Sequence, residues 1–170
     1  MRPTAITLPL LAVTAALLPL AAVAQSCEPT WHKAALTTYE SYPAPGSEEC
    51  VAFSGCEWQG QFYGIDGVQP EPWVKAHNIA SVHLKDWPWL GMKRLRLRQG
   101  FRQIDVSVID ACADSDCDGC CTQNLELDGY LIDLEKFTMQ RFGSGDGLCC
   151  TNHSEVEFPL SPNGFIPRAA

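Results

Sequence analysis

Alternating apolar and polar residues in the second half of the chain predict a β-hairpin. Residues 94–98 read Arg-Leu-Arg-Leu-Arg, and residues 104–108 read Ile-Asp-Val-Ser-Val. A period of two is typical of a strand with one buried and one solvated face. Gln99-Gly100 lies between the two runs and favours a turn. The second strand would carry Asp110 at its far end.

The residues before this hairpin predict two helices and one strand. Pro72 suits the first turn of a short helix over residues 72–77, and residues 78–84 read as a strand. A longer helix is expected over residues 30–42, because aromatic and small apolar residues recur there near every fourth position. These residues are Trp31, Ala35, Tyr39 and Tyr42.

The residues after the hairpin predict one more strand and one more helix. Residues 129–132 read as a short strand. Asp133 follows and suits the N-cap of a helix over residues 134–142, which Gly143 would end. Many short strands with two or three small helices indicate a mainly β domain that closes into a barrel of mixed type.

The first 24 residues have the pattern of a secretory signal peptide. Met1-Arg2 gives a short positive start, an apolar run follows over residues 8–24, and the run ends in the small-x-small pattern Ala-Val-Ala. A membrane anchor is the alternative, but the run is short for a span and is broken by prolines. We therefore expect residues 1–24 to be removed and the protein to be secreted, with no membrane partner afterwards.

The overall charge narrows the class of partner. Twelve basic residues stand against 20 acidic ones, which gives a formal net charge of −8. Nucleic acids and anionic membrane surfaces repel a protein of this charge. We expect instead a neutral ligand, such as an extracellular polysaccharide, bound by a monomer without a cofactor.

Nine cysteines constrain the chemistry of the chain. In an oxidising compartment they are expected in disulfides, although an odd number leaves at least one without a partner in the chain. The pairing stays open, but adjacent cysteines should reach different partners because a disulfide needs separated Cα atoms. The candidates are Cys50, Cys56, Cys112, Cys117, Cys120, Cys121, Cys149 and Cys150, and the ninth cysteine is Cys27. We expect some of the four cysteines within residues 112–121 to pair outside that segment.

Residues 112–121 have two alternative interpretations as a metal site. Their spacing, C-x4-C-x2-C-C, is not the paired C-x2-C of zinc sites. Asp114, Asp116 and Asp118 match the first half of an EF-hand calcium loop, but its twelfth position is Leu125 and a strand precedes it. We therefore expect no metal site here, with a looser calcium site as the alternative, and interpret the segment as an acidic surface loop tied by disulfides.

Three short segments occur in an order that is typical of one family of barrels. Residues 108–112, Val-Ile-Asp-Ala-Cys, match a V-x-D-x-C strand end. Residues 132–137, Ile-Asp-Leu-Glu-Lys-Phe, resemble an (I/L)-D-L-S segment that opens a short helix with a buried Phe, and residues 90–97 resemble a G-x-x-L-x-V strand. Over residues 78–147 the chain resembles the double-psi β-barrel shared by expansins, barwin, plant natriuretic peptides and rare lipoprotein A.

The resemblance implies a mainly β fold: a disulfide-stabilised, six-stranded double-psi β-barrel over residues 48–158. Residues 25–47 would be an N-terminal extension, and residues 159–170 a C-terminal tail. The family's first strand, rich in Gly, Thr and Tyr, is expected within residues 50–63.

The resemblance also implies two catalytic residues, Asp110 and Asp133. In expansins the aspartate of the D-L-S segment is linked to wall loosening, and in barrel-type endoglucanases an acid of this fold donates a proton. Such an acid needs a pKa raised by burial or by a neighbouring carboxylate. The structural alternatives are a hydrogen-bonded strand end for Asp110 and a helix N-cap for Asp133. Glu135 departs from the family pattern, because it stands where the family has Ser.

Hydrolysis would need a second carboxylate, and no motif selects one. The candidates are Glu48, Glu49, Glu57 and Asp66. The His-Phe-Asp segment of many plant expansins and their second, carbohydrate-binding domain are absent from this sequence. We therefore favour binding of cell-wall polysaccharide and its loosening without hydrolysis. The alternatives are a glycan-cleaving enzyme (an endoglucanase or lytic transglycosylase) and a barwin-like interaction protein without a catalytic role.

Aromatic side chains are the expected sugar-binding surface, because their faces stack on sugar rings. The candidates are Trp58, Tyr63, Trp87, Trp89 and Tyr130. The alternative is ordinary packing, since tryptophans are usually half-buried or buried. Asn152-His-Ser is an N-glycosylation sequon, which is usable in a eukaryotic secretory pathway.

Overall fold

The computed structural model describes residues 30–125, 129–143 and 154–160. The strands are β1 Thr30–Tyr39, β2 Ile79–His83, β3 Arg94–Gln99, β4 Arg102–Cys112, β5 Leu131–Glu135 and β6 Ser154–Leu160. The helices are α1 Glu48–Val51, α2 Glu71–Ala76, α3 Trp87–Leu90, α4 Cys120–Gln123 and α5 Lys136–Gly143. The predicted signal segment, Cys27, Cys149, Cys150, Asn152 and the predicted C-terminal tail beyond Leu160 lie outside the described residues.

The six described strands form a closed barrel in the order β1-β5-β2-β4-β3-β6. Strands β1 and β5 are parallel, as are β2 and β4, and the remaining neighbours are antiparallel. Exchanging the first three strands with the last three leaves this pairing unchanged: the pair β1–β5 becomes β4–β2, and β3–β4 becomes β6–β1. The connectivity therefore has the two-fold pseudosymmetry of a double-psi barrel, and the predicted fold is confirmed.

The core lies inside the barrel and follows the alternation of each strand. On β5, for example, Ile132 and Leu134 are buried inside while Asp133 lies on the outer face. The inward-pointing residues are Ala34, Leu36, Ala80, Val82, Leu95, Leu97, Val106, Val108, Ile132, Leu134, Val156 and Phe158. A closed barrel with this filling leaves the polar residues of every strand on its outer surface.

The predicted hairpin, the strand over residues 78–84 and the helix over residues 72–77 are confirmed as β3–β4, β2 and α2, with boundaries shifted by a few residues. None of the helices among residues 30–125, 129–143 and 154–160 is long and apolar enough to span a membrane.

The helix predicted over residues 30–42 is wrong, since strand β1 occupies Thr30–Tyr39. Trp31, Ala35 and Tyr39 are four residues apart, a spacing that puts side chains near one face of a helix and also on one face of a strand. β1 is part of the barrel. The barrel therefore begins within the segment that was expected to be an extension, and its first strand lies here instead of within residues 50–63.

Asp133 does not cap a helix. Strand β5 continues through it to Glu135, because Ile132 and Leu134 both point into the core. Helix α5 begins at Lys136, and the Glu135 Oε2 atom accepts a hydrogen bond from the Phe137 backbone N–H at 2.7 Å. Glu135 is therefore the capping residue, in the place where the family has Ser.

Three disulfides are formed among the described cysteines: Cys50–Cys56, Cys112–Cys121 and Cys117–Cys120. Adjacent Cys120 and Cys121 reach different partners, as predicted. The expected links from this segment to other cysteines are not formed, because its four cysteines pair with one another. Cys121 is buried against Ala35 and Leu131, so the segment is fixed to the outer face of β1 and β5.

Candidate functional site

Four polar residues form one row across four neighbouring strands. Thr37 of β1 is opposite Asp133 of β5, Asp133 is opposite Ser81 of β2, and Ser81 is opposite Asp110 of β4. Neighbouring strands are about 4.8 Å apart, so the two aspartates are separated by two such spacings. The row runs across the outside of the barrel and forms the floor of a groove.

A β-bulge brings Asp110 to this row. Val106 and Val108 point into the barrel, and strict alternation would send Asp110 the same way. The register between β2 and β4 shifts after the Ala80–Val108 pair, so that Ser81 is opposite Asp110 and Ile109 is the extra residue. Bulges are known to redirect side chains at barrel rims, and this one turns the carboxyl outward.

The groove above the row has a volume of about 600 Å³. One wall is the loop closed by the Cys50–Cys56 disulfide, and the other is the disulfide-tied segment 112–121. Trp58 and Tyr63 stand at its rim with 53% and 63% of their surface exposed. Both walls are held covalently, so the shape of the groove is largely fixed before any ligand arrives.

Asp133 is half-buried at the floor. The Thr37 hydroxyl donates a 2.8 Å hydrogen bond to its Oδ1 atom. Burial raises the pKa of Asp133 to about 7, and the negative charges of Glu49 and Asp110 add to this rise, whereas the hydrogen bond from Thr37 opposes it. Near neutral pH this carboxyl can therefore both hold and release a proton.

Asp110 shares the groove but has different partners. Its Oδ1 atom accepts hydrogen bonds from the backbone N–H groups of Tyr63 and Ala111, both at 3.0 Å. Burial raises the pKa of Asp110, and these two bonds oppose the rise. The carboxylate thus also fixes the loop that carries Tyr63, so the alternative of a hydrogen-bonded strand end holds together with the placement in the groove. The two aspartates face one groove, as their motif order predicted.

Glu49 is the carboxylate that the sequence could not select. Of the four candidates for a second acid, it alone lines the groove among the described residues. It lies on α1, which Ser47 caps by accepting a hydrogen bond from the Cys50 backbone N–H at 3.2 Å. Burial raises the pKa of Glu49. The negative charge of Glu49 in turn raises the pKa of Asp133.

Thr37 and Tyr39 are site residues that the sequence analysis missed. The phenol oxygen of Tyr39 is buried at the groove, and the Asp110 carboxyl is the neighbouring side chain with which it interacts. Burial raises the pKa of Tyr39, and the charges of Asp110 and Asp133 raise it further, so the phenol is neutral. The run Thr-Thr-Tyr at residues 37–39 could have indicated these two residues. The resemblance implied a first strand rich in Thr and Tyr, but that strand was expected within residues 50–63.

The predicted aromatic residues divide into two groups. Trp58 and Tyr63 line the groove. Trp87 packs against the core and supports Tyr63 from behind, with ring centroids 4.9 Å apart. Trp89 and Tyr130 pack on each other at 5.6 Å and also against the core, so these three residues do not line the groove.

The acidic segment 112–121 serves as a wall. Asp114 accepts hydrogen bonds from the backbone N–H and the hydroxyl of Thr122, at 2.8 Å and 2.5 Å. The sulfur atoms of Cys112, Cys120 and Cys121 lie within 4.8 Å of one another, but all three are bonded in disulfides and are not thiolate ligands. The interpretation as a disulfide-tied acidic loop therefore fits this geometry.

No protein-family model matches the chain, and no curated protein matches it.

Proposed function

We propose that this protein is secreted, binds a cell-wall polysaccharide in the groove and loosens it without hydrolysis. One observation carries the proposal: a half-buried carboxyl at the floor, Asp133, lies below two exposed aromatic rings at the rim, Trp58 and Tyr63. Sugar rings offer flat apolar faces to aromatic side chains and hydroxyl groups to carboxylates. An open groove with both kinds of group suits a chain of sugars better than a compact ligand.

Loosening requires competition for the hydrogen bonds that hold glycan chains together. A carboxyl group with a pKa near neutrality can accept a hydrogen bond when ionised and donate one when protonated. Asp133 has this property, and Thr37 holds one of its oxygen atoms in place. The other oxygen is available to a glycan hydroxyl that would otherwise bond to a neighbouring glycan chain.

Cleavage of a glycosidic bond is the second candidate function, and Glu49 favours it. A proton donor with a raised pKa and a second carboxylate across the groove are the two groups that glycoside hydrolysis needs. Asp133 is suited to the first role and Glu49 to the second. A barwin-like interaction protein without a catalytic role is the third candidate.

A pull-down on insoluble cellulose, chitin and peptidoglycan, with reducing ends measured in the bound fraction, separates these candidates. Binding with wall extension and without new reducing ends is expected. Release of reducing ends, or of soluble peptidoglycan fragments with 1,6-anhydro ends, would support the cleaving enzyme, and a lack of binding to all three polymers would contradict both glycan functions.

Two exposed aromatic residues provide a matched pair for this assay. Trp58→Ala removes a ring from the groove and should lower glycan binding by about tenfold, since a stacked aromatic contact contributes on the order of 1 kcal/mol or more. Phe101→Ala removes an exposed ring from the β3–β4 turn, outside the groove, and should leave binding unchanged. Equal effects of the two substitutions would place the glycan elsewhere.

A further inference from the structure

The charged side chains that line the groove in the described part of the chain are all carboxylates. They are Glu40, Glu49, Asp110, Asp116 and Asp133. Glu40 has a cationic partner, because its Oε2 atom lies 3.0 Å from the Lys136 Nζ atom. Within residues 30–125, 129–143 and 154–160, the other four have no Lys or Arg within ion-pair distance.

The carboxylates in the groove repel one another when they are ionised. The charges of Glu49 and Asp110 raise the pKa of Asp133, and the charge of Asp116 raises that of Asp110. Repulsion between neighbouring carboxylates is relieved either by protons or by a cation that enters the groove. The electrostatics therefore favour a ligand that brings positive charge with it.

A second feature of the groove calls for a polar, ring-shaped ligand. The hydroxyl of Ser41, a residue that lines the groove and is only 6% exposed, has no hydrogen-bond partner among the described residues, although a buried hydroxyl normally has one. Trp58 offers its exposed ring at the rim. A hexose ring can supply a hydrogen-bonding group to the Ser41 hydroxyl and a flat apolar face to the indole, and an amino group on that ring would supply the charge.

We propose that the groove binds a polysaccharide of amino sugars whose amino groups are free, in preference to a neutral or an anionic glycan. This inference rests on the proposed function, and it specifies the substrate class of the same groove. A neutral glycan gains the aromatic and hydrogen-bonding contacts but leaves the carboxylates unpaired. An anionic glycan adds repulsion at every charged residue.

Two oligosaccharides of equal length test the preference, one of glucosamine and one of N-acetylglucosamine. Binding is measured by calorimetry and by the change in tryptophan fluorescence at about pH 6, where amino groups of ordinary basicity are protonated. We expect the glucosamine oligomer to bind about tenfold more tightly at low salt, and added salt to weaken its binding selectively. Equal or tighter binding of the acetylated oligomer at low salt would overturn the inference.

Glu49→Gln and Glu71→Gln are a matched pair for the same measurement. Glu49 lines the groove, whereas Glu71 is paired with Lys75 at 2.7 Å on α2, outside the groove. Glu49→Gln should reduce the preference for the free amine by about threefold, the effect of one partly exposed charge pair, and Glu71→Gln should leave the preference as it is. A preference that survives Glu49→Gln unchanged counts against the inference.

The outcomes distinguish the inference from the proposed function. Tight binding of the acetylated oligomer with no preference for the free amine removes the inference and leaves polysaccharide binding standing. Binding of neither oligomer removes the inference, and the proposed function is removed as well only if the pull-down also finds no binding to cellulose, chitin or peptidoglycan.

Discussion

Strand β4 carries one aspartate near each end, and their surroundings are opposite. Asp105 faces solvent beside Arg96 of β3, with N–O distances of 2.7 Å and 2.9 Å. Hydrogen bonds from Arg96 hold the pKa of Asp105 below its usual value. Asp110 lies in the groove, where burial raises its pKa, as it does for nearby Asp133.

The partners of a carboxylate differ between the two faces of the barrel. On the β3–β4 face, each acid that packs on β3 is paired with an arginine: Asp105 with Arg96, and Glu157 with Arg98. In the groove, Asp110 and Asp133 are held by hydrogen bonds from uncharged groups. Uncharged donors position a carboxyl while leaving it able to change protonation near neutral pH.

The largest expected effect comes from comparing the loss of a carboxyl in the groove with the loss of a carboxyl on the solvated β3–β4 face. Asp133→Asn keeps the shape of the side chain but cannot ionise or donate a carboxyl proton, so wall extension or glycan cleavage should fall about a hundredfold or more. Asp105→Asn should leave activity unchanged. Extension assays and reducing-end assays on both variants, with binding measured in parallel, give the comparison. Full activity in folded Asp133→Asn would remove the residue from the mechanism.

An intermediate effect is expected in the dependence of stability on pH. The pKa of Asp133 is about 7 in the folded protein and near its ordinary 3.8 when unfolded, so the folded state binds the proton more tightly. Wild-type stability should therefore fall as pH rises from about 4 to about 7, by at most about 4 kcal/mol from this group. Asp105 has the opposite sign, since its lowered pKa contributes stability that is lost as pH falls through the acid range.

Urea unfolding across this pH range measures the effect, with Asp133→Asn as the control. The variant should be more stable than the wild type at pH above about 7, and the difference should shrink as pH falls toward 4. A difference that is constant with pH would show that Asp133 has an ordinary pKa in the folded protein.

The smallest expected effect comes from breaking the pair on the solvated face. Arg96→Gln removes the cation beside Asp105 and should move the pKa of that carboxyl back toward its ordinary value. The free energy of unfolding should fall by less than about 1 kcal/mol, because both side chains are more than a third exposed and solvent screens the pair. NMR titration of the Asp105 carboxyl and chemical unfolding measure the two quantities. A loss of several kcal/mol would contradict the description of this ion pair as solvent-screened.

The sequence predicted the parts of the fold that depend on local pattern. Alternation located β3 and β4, and the order of the V-x-D and I-D-L segments put Asp110 and Asp133 on one groove. It could not locate β1, because a spacing of four residues fits a helix and a strand equally well. The choice is made by parallel pairing with β5, which is almost a hundred residues away in the chain.

The site was predictable only where a motif carried it. Glu49 has no motif, and it reaches the groove because Ser47 and the Cys50–Cys56 disulfide position a short helix. Asp110 points outward because of a β-bulge, and no local sequence pattern predicts that bulge. Trp89 and Tyr130 looked like sugar contacts, but they pack on the core instead.

The pseudosymmetry of the barrel relates each carboxyl group of the polar row to a hydroxyl group of the same row. The exchange of strand triplets that preserves the pairing replaces β5 by β2 and β1 by β4, so Asp133 corresponds to Ser81 and Thr37 to Asp110. Both hydroxyl groups come from the first half of the chain and both carboxyl groups from the second. The pseudosymmetric scaffold thus offers each position of the row twice, with carboxyl groups at one set of positions and, at the other, the small hydroxyl side chains that hold and border them.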